Sequence, residues 1–89
     1  GDPVAMFQAG GLRVGVLALG YHNTHLTTSP DNVRGIRFTS GIEAAERHVP
    51  ALRARSDLVV ILSHLGLDAD ERLARRVPGI DIIVGGHSH

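Results

Sequence analysis

The sequence predicts an α/β fold, a β-hairpin followed by a βαβαβ arrangement in a mostly parallel sheet. Two observations support this: short apolar, β-branched runs recur along the 89 residues, and segments with helical spacing separate the later ones. Strands that alternate with helices favour right-handed crossovers and parallel pairing. The composition, 43% hydrophobic and 20% charged, is typical of a globular domain. We therefore treat residues 1–89 as one domain unit.

The first predicted element is the hairpin. Strands are expected over residues 4–8 and 12–19, with Gly10-Gly11 as the turn between them. Both faces of the second strand are apolar, so it is expected to be covered on two sides.

A polar loop is predicted next, over residues 20–39, with a Pro-containing turn at residues 29–32. Loops of this length are usually functional or packed as Ω-loops. His22 and His25 fall in this loop, and we interpret them as solvated side chains.

The first helix is predicted to begin at Ser40, which has capping-box spacing to Glu43. Pro50 lies inside the pattern, so the helix is expected to kink or restart there. His48 is interpreted as a rim residue beside the apolar stripe. That stripe consists of Ile42, Ala45, Val49 and Leu52.

The remaining elements are a buried parallel strand over residues 58–62, a helix, and a last strand over residues 80–84. Asp68 and Glu71 are spaced like a capping box. Acidic residues in the first turn and arginines in the last complement the helix dipole, and Pro78-Gly79 follows as a stop signal. The residues concerned are Asp70, Glu71, Arg75 and Arg76.

Charge and composition exclude several classes of function. A formal net charge of zero argues against binding of a nucleic-acid polymer, which needs a basic excess. The absence of Cys excludes disulfides and thiolate metal sites. The longest apolar run, residues 58–62, is far shorter than a membrane span.

Histidines follow both of the later predicted strands. His64 comes after residues 58–62, and His87 and His89 come after residues 80–84. Because ligands collect at the carboxyl ends of parallel strands, these imidazoles are expected at one sheet edge, where they could bind Zn, Mn, Fe, Co or Ni. Nearby glycines are expected to let the backbone turn sharply there. They are Gly66, Gly85 and Gly86.

The residues alone leave two other interpretations open. The histidines could be incidental in a non-catalytic α/β binding or structural module. They could also form an independent mononuclear zinc hydrolase with three His ligands.

Two motifs carry a resemblance to a known family. The segments over residues 59–66 and 78–89, with Ser-His-Leu-Gly and Gly-Gly-His-Ser-His, closely resemble the calcineurin-like metallophosphoesterases, in the branch of 5'-nucleotidases and 2',3'-cyclic nucleotide phosphodiesterases. Residues 11–20 and 29–39 are similar to the same branch. The resemblance implies half of a four-layer α/β/β/α sandwich, namely the C-terminal half of the catalytic domain.

The resemblance also implies roles for three histidines. His64 and His87 match the two that the family places on one metal, and His89 matches a ligand of the other. The implied substrates are phosphate esters, chiefly nucleotides, and the implied cofactors are two divalent metal ions that activate a shared water.

Other family motifs are missing from these 89 residues. Asp-x-His, a bridging Asp and Asn-His-Asp/Glu do not occur, so we assign no catalytic residue here. Two dications about 4 Å apart repel by roughly 17 kcal/mol at an effective dielectric of 20, and neutral imidazoles cannot offset that. We expect the isolated chain to bind at most one metal, weakly, and to be inactive without the missing N-terminal half.

Without that half, one apolar sheet face is expected to lie exposed. Such a face exceeds what monomers tolerate, so we expect self-association by sheet stacking or strand exchange. The sequence stops within a ligand motif, which we interpret as a cut in a longer chain. The face is predicted to carry Val14, Val16, Val59, Ile61 and Ile83, or their alternates.

Overall fold

A computed structural model of the chain describes residues 3–20 and 30–85. Its elements, in chain order, are β1 (Val4–Ala9), β2 (Leu12–Leu19), α1 (Pro30–Arg55), β3 (Leu58–Ser63), α2 (Leu67–Arg76) and β4 (Ile82–Gly85).

The strands form one sheet in the order β1-β2-β3-β4. β1 pairs with β2 as an antiparallel hairpin, whereas β2, β3 and β4 are parallel. The predicted α/β fold is therefore confirmed. Both helical crossovers step in the same direction across the sheet, and right-handed crossovers of that kind place their helices on the same face.

The core lies between this face and the two helices. From the sheet it takes alternate residues of β2 and β3, and from α1 it takes the predicted apolar stripe, which is buried as expected. The buried apolar side chains are Leu17, Leu19, Ile42, Ala45, Val49, Leu52, Val59, Ile61, Leu73 and Val77.

The opposite sheet face is apolar and is not packed against either described helix. Its most exposed members include Phe7 at 58% and Val84 at 48% of their accessible area. The register aligns one side chain per strand along this face, as in the row Ala5, Val16, Val60 and Ile82. We call it the outer sheet face; it carries Phe7, Leu12, Val14, Val16, Val60, Leu62, Ile82 and Val84.

The expected composition of that face was partly wrong. Val59 and Ile61 are fully buried beneath the helices, and Ile83 packs against the same core. Val14 and Val16 do lie on the outer sheet face. The two faces of these strands are both apolar, so the sequence pattern does not indicate which face the helices cover.

The predicted loop over residues 20–39 was wrong for its second half, because α1 begins at Pro30. Pro suits the first turn of a helix, where its missing N–H has no intrahelical partner. Ser40 and Glu43, expected as a capping box, therefore lie inside α1. The early turns are held by the Thr39 hydroxyl, which donates to the Gly35 carbonyl at 3.0 Å, and by Phe38, whose ring lies 4.4 Å from the Arg72 guanidinium.

Pro50 does not restart the helix. α1 continues through it as one element to Arg55, and Val49 and Leu52 on either side of it are both buried in the core. The long buried stripe therefore outweighs the backbone hydrogen bond that Pro50 removes.

The boundaries of the last two elements differ from expectation. Gly66 is the N-cap of α2 and no side chain caps the helix, so the proposed capping box of Asp68 and Glu71 was wrong. The acids of the first turn are Asp68 and Asp70, and not Asp70 and Glu71 as expected, whereas Arg75 and Arg76 occupy the last turn as predicted. β4 begins at Ile82, two residues later than expected. No helix in the described part of the chain is long and apolar enough to cross a membrane.

Candidate metal centre at the strand ends

The carboxyl ends of β3 and β4 lie side by side. Ser63, the last residue of β3, pairs with Gly85, the last of β4. This confirms the expected adjacency of the two strands that precede the histidine motifs. His87 and His89 lie outside the described residues, as do His22 and His25, and their predicted roles remain predictions.

His64 is the candidate ligand that the structure does describe. It follows β3 directly, its side chain is exposed at the sheet edge, and its backbone N–H donates to the Leu19 carbonyl at 3.0 Å. Its backbone also lies close to Gly20: a Cβ built on Gly20 would stand 3.2 Å from the His64 carbonyl carbon. The end of β2 therefore fixes the position from which the imidazole projects.

A buried polar pair stands directly behind His64. The Ser63 hydroxyl donates to the Asp70 carboxylate and accepts the Leu65 N–H at 3.1 Å. Ser63 is fully buried, and Asp70 is 7% exposed.

This pair was not predicted from the sequence, although the sequence carries a signal for it. Asp70 precedes Leu73 and Val77 at i+3 and i+7, so an acid occupies the inward stripe of its helix. Ser63 lies two residues after Ile61 and four after Val59 on β3, so its side chain points to the same buried face of the sheet.

The glycines near the site behave differently from one another. Gly66 has φ of 112°, a conformation that favours glycine, and it makes the sharp turn predicted for it. Gly85 is an extended residue of β4, so its expected role as a turn was wrong. Gly86 lies outside the described residues.

Within residues 3–20 and 30–85, no three His, Asp, Glu or Cys side chains are grouped as a metal site. His48 lies half-buried on α1, in a cleft shared with Met6 and Arg55. Among these residues, His64 is the imidazole that stands at the strand ends.

Two carboxylates at the opposite, amino edge of the sheet hold the strands together. The pKa of Asp57 is lowered first by the backbone N–H of Arg13 and then by its guanidinium. The pKa of Asp81 is lowered in the same way by the Val59 N–H and then by Arg53. These acids stabilise the frame on which the strand ends are placed, and they lie at the opposite end of the strands from His64.

Comparison with known proteins gives relatives along nearly the whole chain, although no protein-family model matches it. The chain is 37% identical over 86 residues to an apyrase of Anopheles gambiae, an alignment that covers 94% of this chain. It is 34% identical over 89 residues to the trifunctional nucleotide phosphoesterase protein YfkN of Bacillus subtilis (strain 168), covering 98%. It is also 30% identical to a 5'-nucleotidase of Diplobatis ommata, again over 98%.

The chain spans only a small part of these relatives. It matches 15% of the length of the Anopheles apyrase, 6% of YfkN and 15% of the Diplobatis 5'-nucleotidase.

Proposed function

The chain belongs to the 5'-nucleotidase and apyrase branch of the metallophosphoesterases, and from this membership we propose that it is the second half of a catalytic domain that hydrolyses nucleotide phosphate esters. The proposal rests chiefly on the pairing of Ser63 with Gly85. That pairing brings the starts of both histidine motifs to one edge of the sheet, where the open end of a parallel sheet offers room for a ligand.

In this proposal the chain contributes three imidazole ligands, His64, His87 and His89, to a pair of divalent cations. Neutral imidazole suits Zn, Mn, Fe, Co and Ni. When bound, such cations supply an activated water and neutralise the charge that develops on phosphate. The exposed ring of His64 at the strand ends fits a ligand of such a centre.

We propose that the isolated chain holds at most one cation. The carboxylate behind the strand ends, Asp70, already accepts the hydroxyl of Ser63, and the three proposed ligands are neutral imidazoles. Since two neighbouring dications need anionic ligands, the isolated chain binds at most one metal, weakly, and hydrolyses nucleotides only when the missing half is added.

A titration with Zn²⁺ tests the ligand assignment. Isothermal calorimetry on the 89-residue chain should show no more than one ion per chain, lost in His64→Ala and retained in His48→Ala. The second variant is the matched control, because it removes an imidazole from the cleft between α1 and β1. Tight binding of two ions would contradict the proposal that the missing half supplies the remaining ligands.

Addition of a separately expressed N-terminal half then tests the reaction. Hydrolysis of a nucleoside monophosphate should appear in the mixture and be absent from either half alone. Activity of the 89-residue chain alone would contradict the proposal. Failure of both metal binding and activity in the mixture would favour a non-catalytic module. Tight binding of one Zn²⁺ together with hydrolysis by the 89-residue chain alone would favour a mononuclear site.

We also propose a partner for the outer sheet face. In the whole protein the second sheet of the sandwich takes this position, and in the isolated chain a second copy does so by stacking face to face. The face supports this because it is apolar on every strand and both described helices lie on the other side. Identical faces are self-complementary about a two-fold axis.

A further inference from the structure

We infer that Asp70, acting through Ser63, is a positioning residue for His64. This inference rests on the proposed function only in treating His64 as a metal ligand. The contacts themselves are a feature of the fold, and they join the first turn of α2 to the end of β3.

The Ser63 hydroxyl holds the backbone beside His64. Ser63 is fully buried at the end of β3, and its hydroxyl donates a hydrogen bond to Asp70 and accepts one from the Leu65 N–H at 3.1 Å. Leu65 is the residue after His64, so this hydrogen bond closes the backbone around His64 into a fixed turn. Without the hydroxyl, the Leu65 N–H would lose this buried acceptor.

Asp70 sets the orientation of that hydroxyl. A serine hydroxyl rotates freely about its Cβ–Oγ bond, and its lone pairs follow the direction in which its proton points. The Asp70 carboxylate accepts the proton from the helix side and so turns a lone pair toward Leu65. A side-chain oxygen at this position, from a carboxylate or an amide, is sufficient to set this orientation.

Asp70 itself is immobile. Its backbone N–H donates to the Gly66 carbonyl at 2.9 Å, as the first helical bond of α2. The residue is buried, with only 7% of its accessible area exposed. Together with the contacts of Leu19 and Gly20, this holds the His64 backbone from both the β2 side and the α2 side.

The test compares four variants of the 89-residue chain. Asp70→Ala and Ser63→Ala remove the two members of the relay. Asp70→Asn retains a carbonyl oxygen that accepts from Ser63, and it serves as the conservative rescue. Asp68→Ala is the matched control, because it removes an exposed acid from the same first turn.

The first readout is amide hydrogen exchange in the metal-free chain, measured by NMR at Leu65 relative to Ile61 in the centre of β3. We expect Asp70→Ala and Ser63→Ala to accelerate exchange at Leu65 about tenfold or more without a matching change at Ile61. Asp70→Asn should restore most of the protection, and Asp68→Ala should match the parent chain. If Asp70→Ala fails to fold, Ser63→Ala and Asp70→Asn still decide the outcome.

The second readout is the affinity of the same chains for Zn²⁺. Loss of groups that orient a ligand typically weakens metal binding about 10–100-fold, so Asp70→Ala should bind at least tenfold more weakly and Asp70→Asn nearly normally. Unchanged Leu65 exchange in folded Asp70→Ala and Ser63→Ala, or faster exchange with unchanged affinity, would overturn the inference. If the parent chain binds no Zn²⁺, the affinity is measured with the N-terminal half added, and absence of binding there makes the proposed function fail. Leu65 exchange then alone decides whether Asp70 holds the His64 backbone.

Discussion

Asp81 accepts a hydrogen bond from the backbone N–H of Val59 at 2.8 Å, and its own N–H donates to the Val59 carbonyl at 3.0 Å. The same exchange links Asp57 and Arg13, at 2.8 Å in both directions. β3 and β4 therefore each enter the sheet through an aspartate that is clamped to the neighbouring strand. Because these clamps fix the register at the amino edge, they also determine which residues meet at the carboxyl edge.

The first prediction concerns the pH dependence of the Asp81 clamp. The pKa of Asp81 lies below its ordinary value of 3.8, first because of the Val59 N–H and then because of Arg53. Because the folded state lowers the pKa of Asp81, the ionised carboxylate contributes its full stabilisation at pH values above 3.8. This stabilisation is lost as the pH falls through the folded-state pKa. Asp81→Asn should therefore lower the free energy of unfolding at neutral pH, and the difference from the parent should vanish in acid.

Urea denaturation from neutral pH to about pH 2 measures this difference. Glu43→Gln, at an exposed position on α1, controls for the loss of one negative charge. A deficit in Asp81→Asn that stayed constant across the whole range would show that the carboxylate charge is not involved.

The second prediction concerns Gly20, which supports the backbone of His64. Its φ of 83° disfavours any side chain, and an added Cβ would also crowd the His64 carbonyl carbon at 3.2 Å. Gly10 shares a positive φ, 57°, but a Cβ there would meet nothing within 4 Å. Gly10→Ala should therefore lower the free energy of unfolding by about 1–2 kcal/mol, which is the cost of the positive φ alone. Gly20→Ala should lower it by more, and should also weaken Zn²⁺ binding. Equal loss of stability in the two variants would show that the close approach to His64 is unimportant.

The third prediction concerns the packing of α2. Leu73 is fully buried, whereas Leu67 on the same helix is 60% exposed. Leu73→Ala should lower the free energy of unfolding by about 2–5 kcal/mol because it removes buried methyl groups and leaves a cavity. Leu67→Ala, the same chemical change at the surface, should alter it by less than about 0.5 kcal/mol. Chemical denaturation of both variants checks this, and a small effect at Leu73 would mean that α2 contributes little to the core.

The strands and their mostly parallel pairing could be predicted because the signal for each strand is local. Each is a short β-branched run, and the helices between them dictate parallel neighbours. The first turns of α1 could not be recognised so easily, because Pro30 and its polar neighbours suit a turn as well as the first turn of a helix. Tertiary contacts such as Phe38 with Arg72 favour the helix here.

The site was predictable only in part, for a similar reason. The common edge of β3 and β4 follows from topology, and His64 lies there as expected. The sequence pattern indicates that Asp70 and Ser63 both face inward, but their contact also depends on the angle at which α2 packs over the sheet, which no local pattern encodes. The sequence also did not indicate which alternate residues form the outer sheet face, because both sets of alternate residues in β3 are apolar. The observed strand register was needed to assign them.

The last prediction concerns self-association through the outer sheet face. Four strands about 4.8 Å apart and about six residues long give a flat footprint of roughly 400 Å². Two stacked faces would therefore bury about 800–1,000 Å², near the lower limit of a specific interface. We expect a weak dimer whose population rises with concentration in sedimentation velocity. Ile82→Thr with Val84→Thr should shift the chain to monomer, because both side chains lie nearly half-exposed on this face and Thr retains β propensity.

Leu67→Gln is the matched control for this prediction, because it removes an exposed apolar side chain from α2, on the other side of the sheet. It should leave the dimer unchanged. Dimers that persist in the double variant would indicate exchange of strands through the edges β1 or β4, since that route uses backbone groups in place of the apolar face. A parent chain that stays monomeric at the highest attainable concentration would show that the exposed face does not bind a second copy.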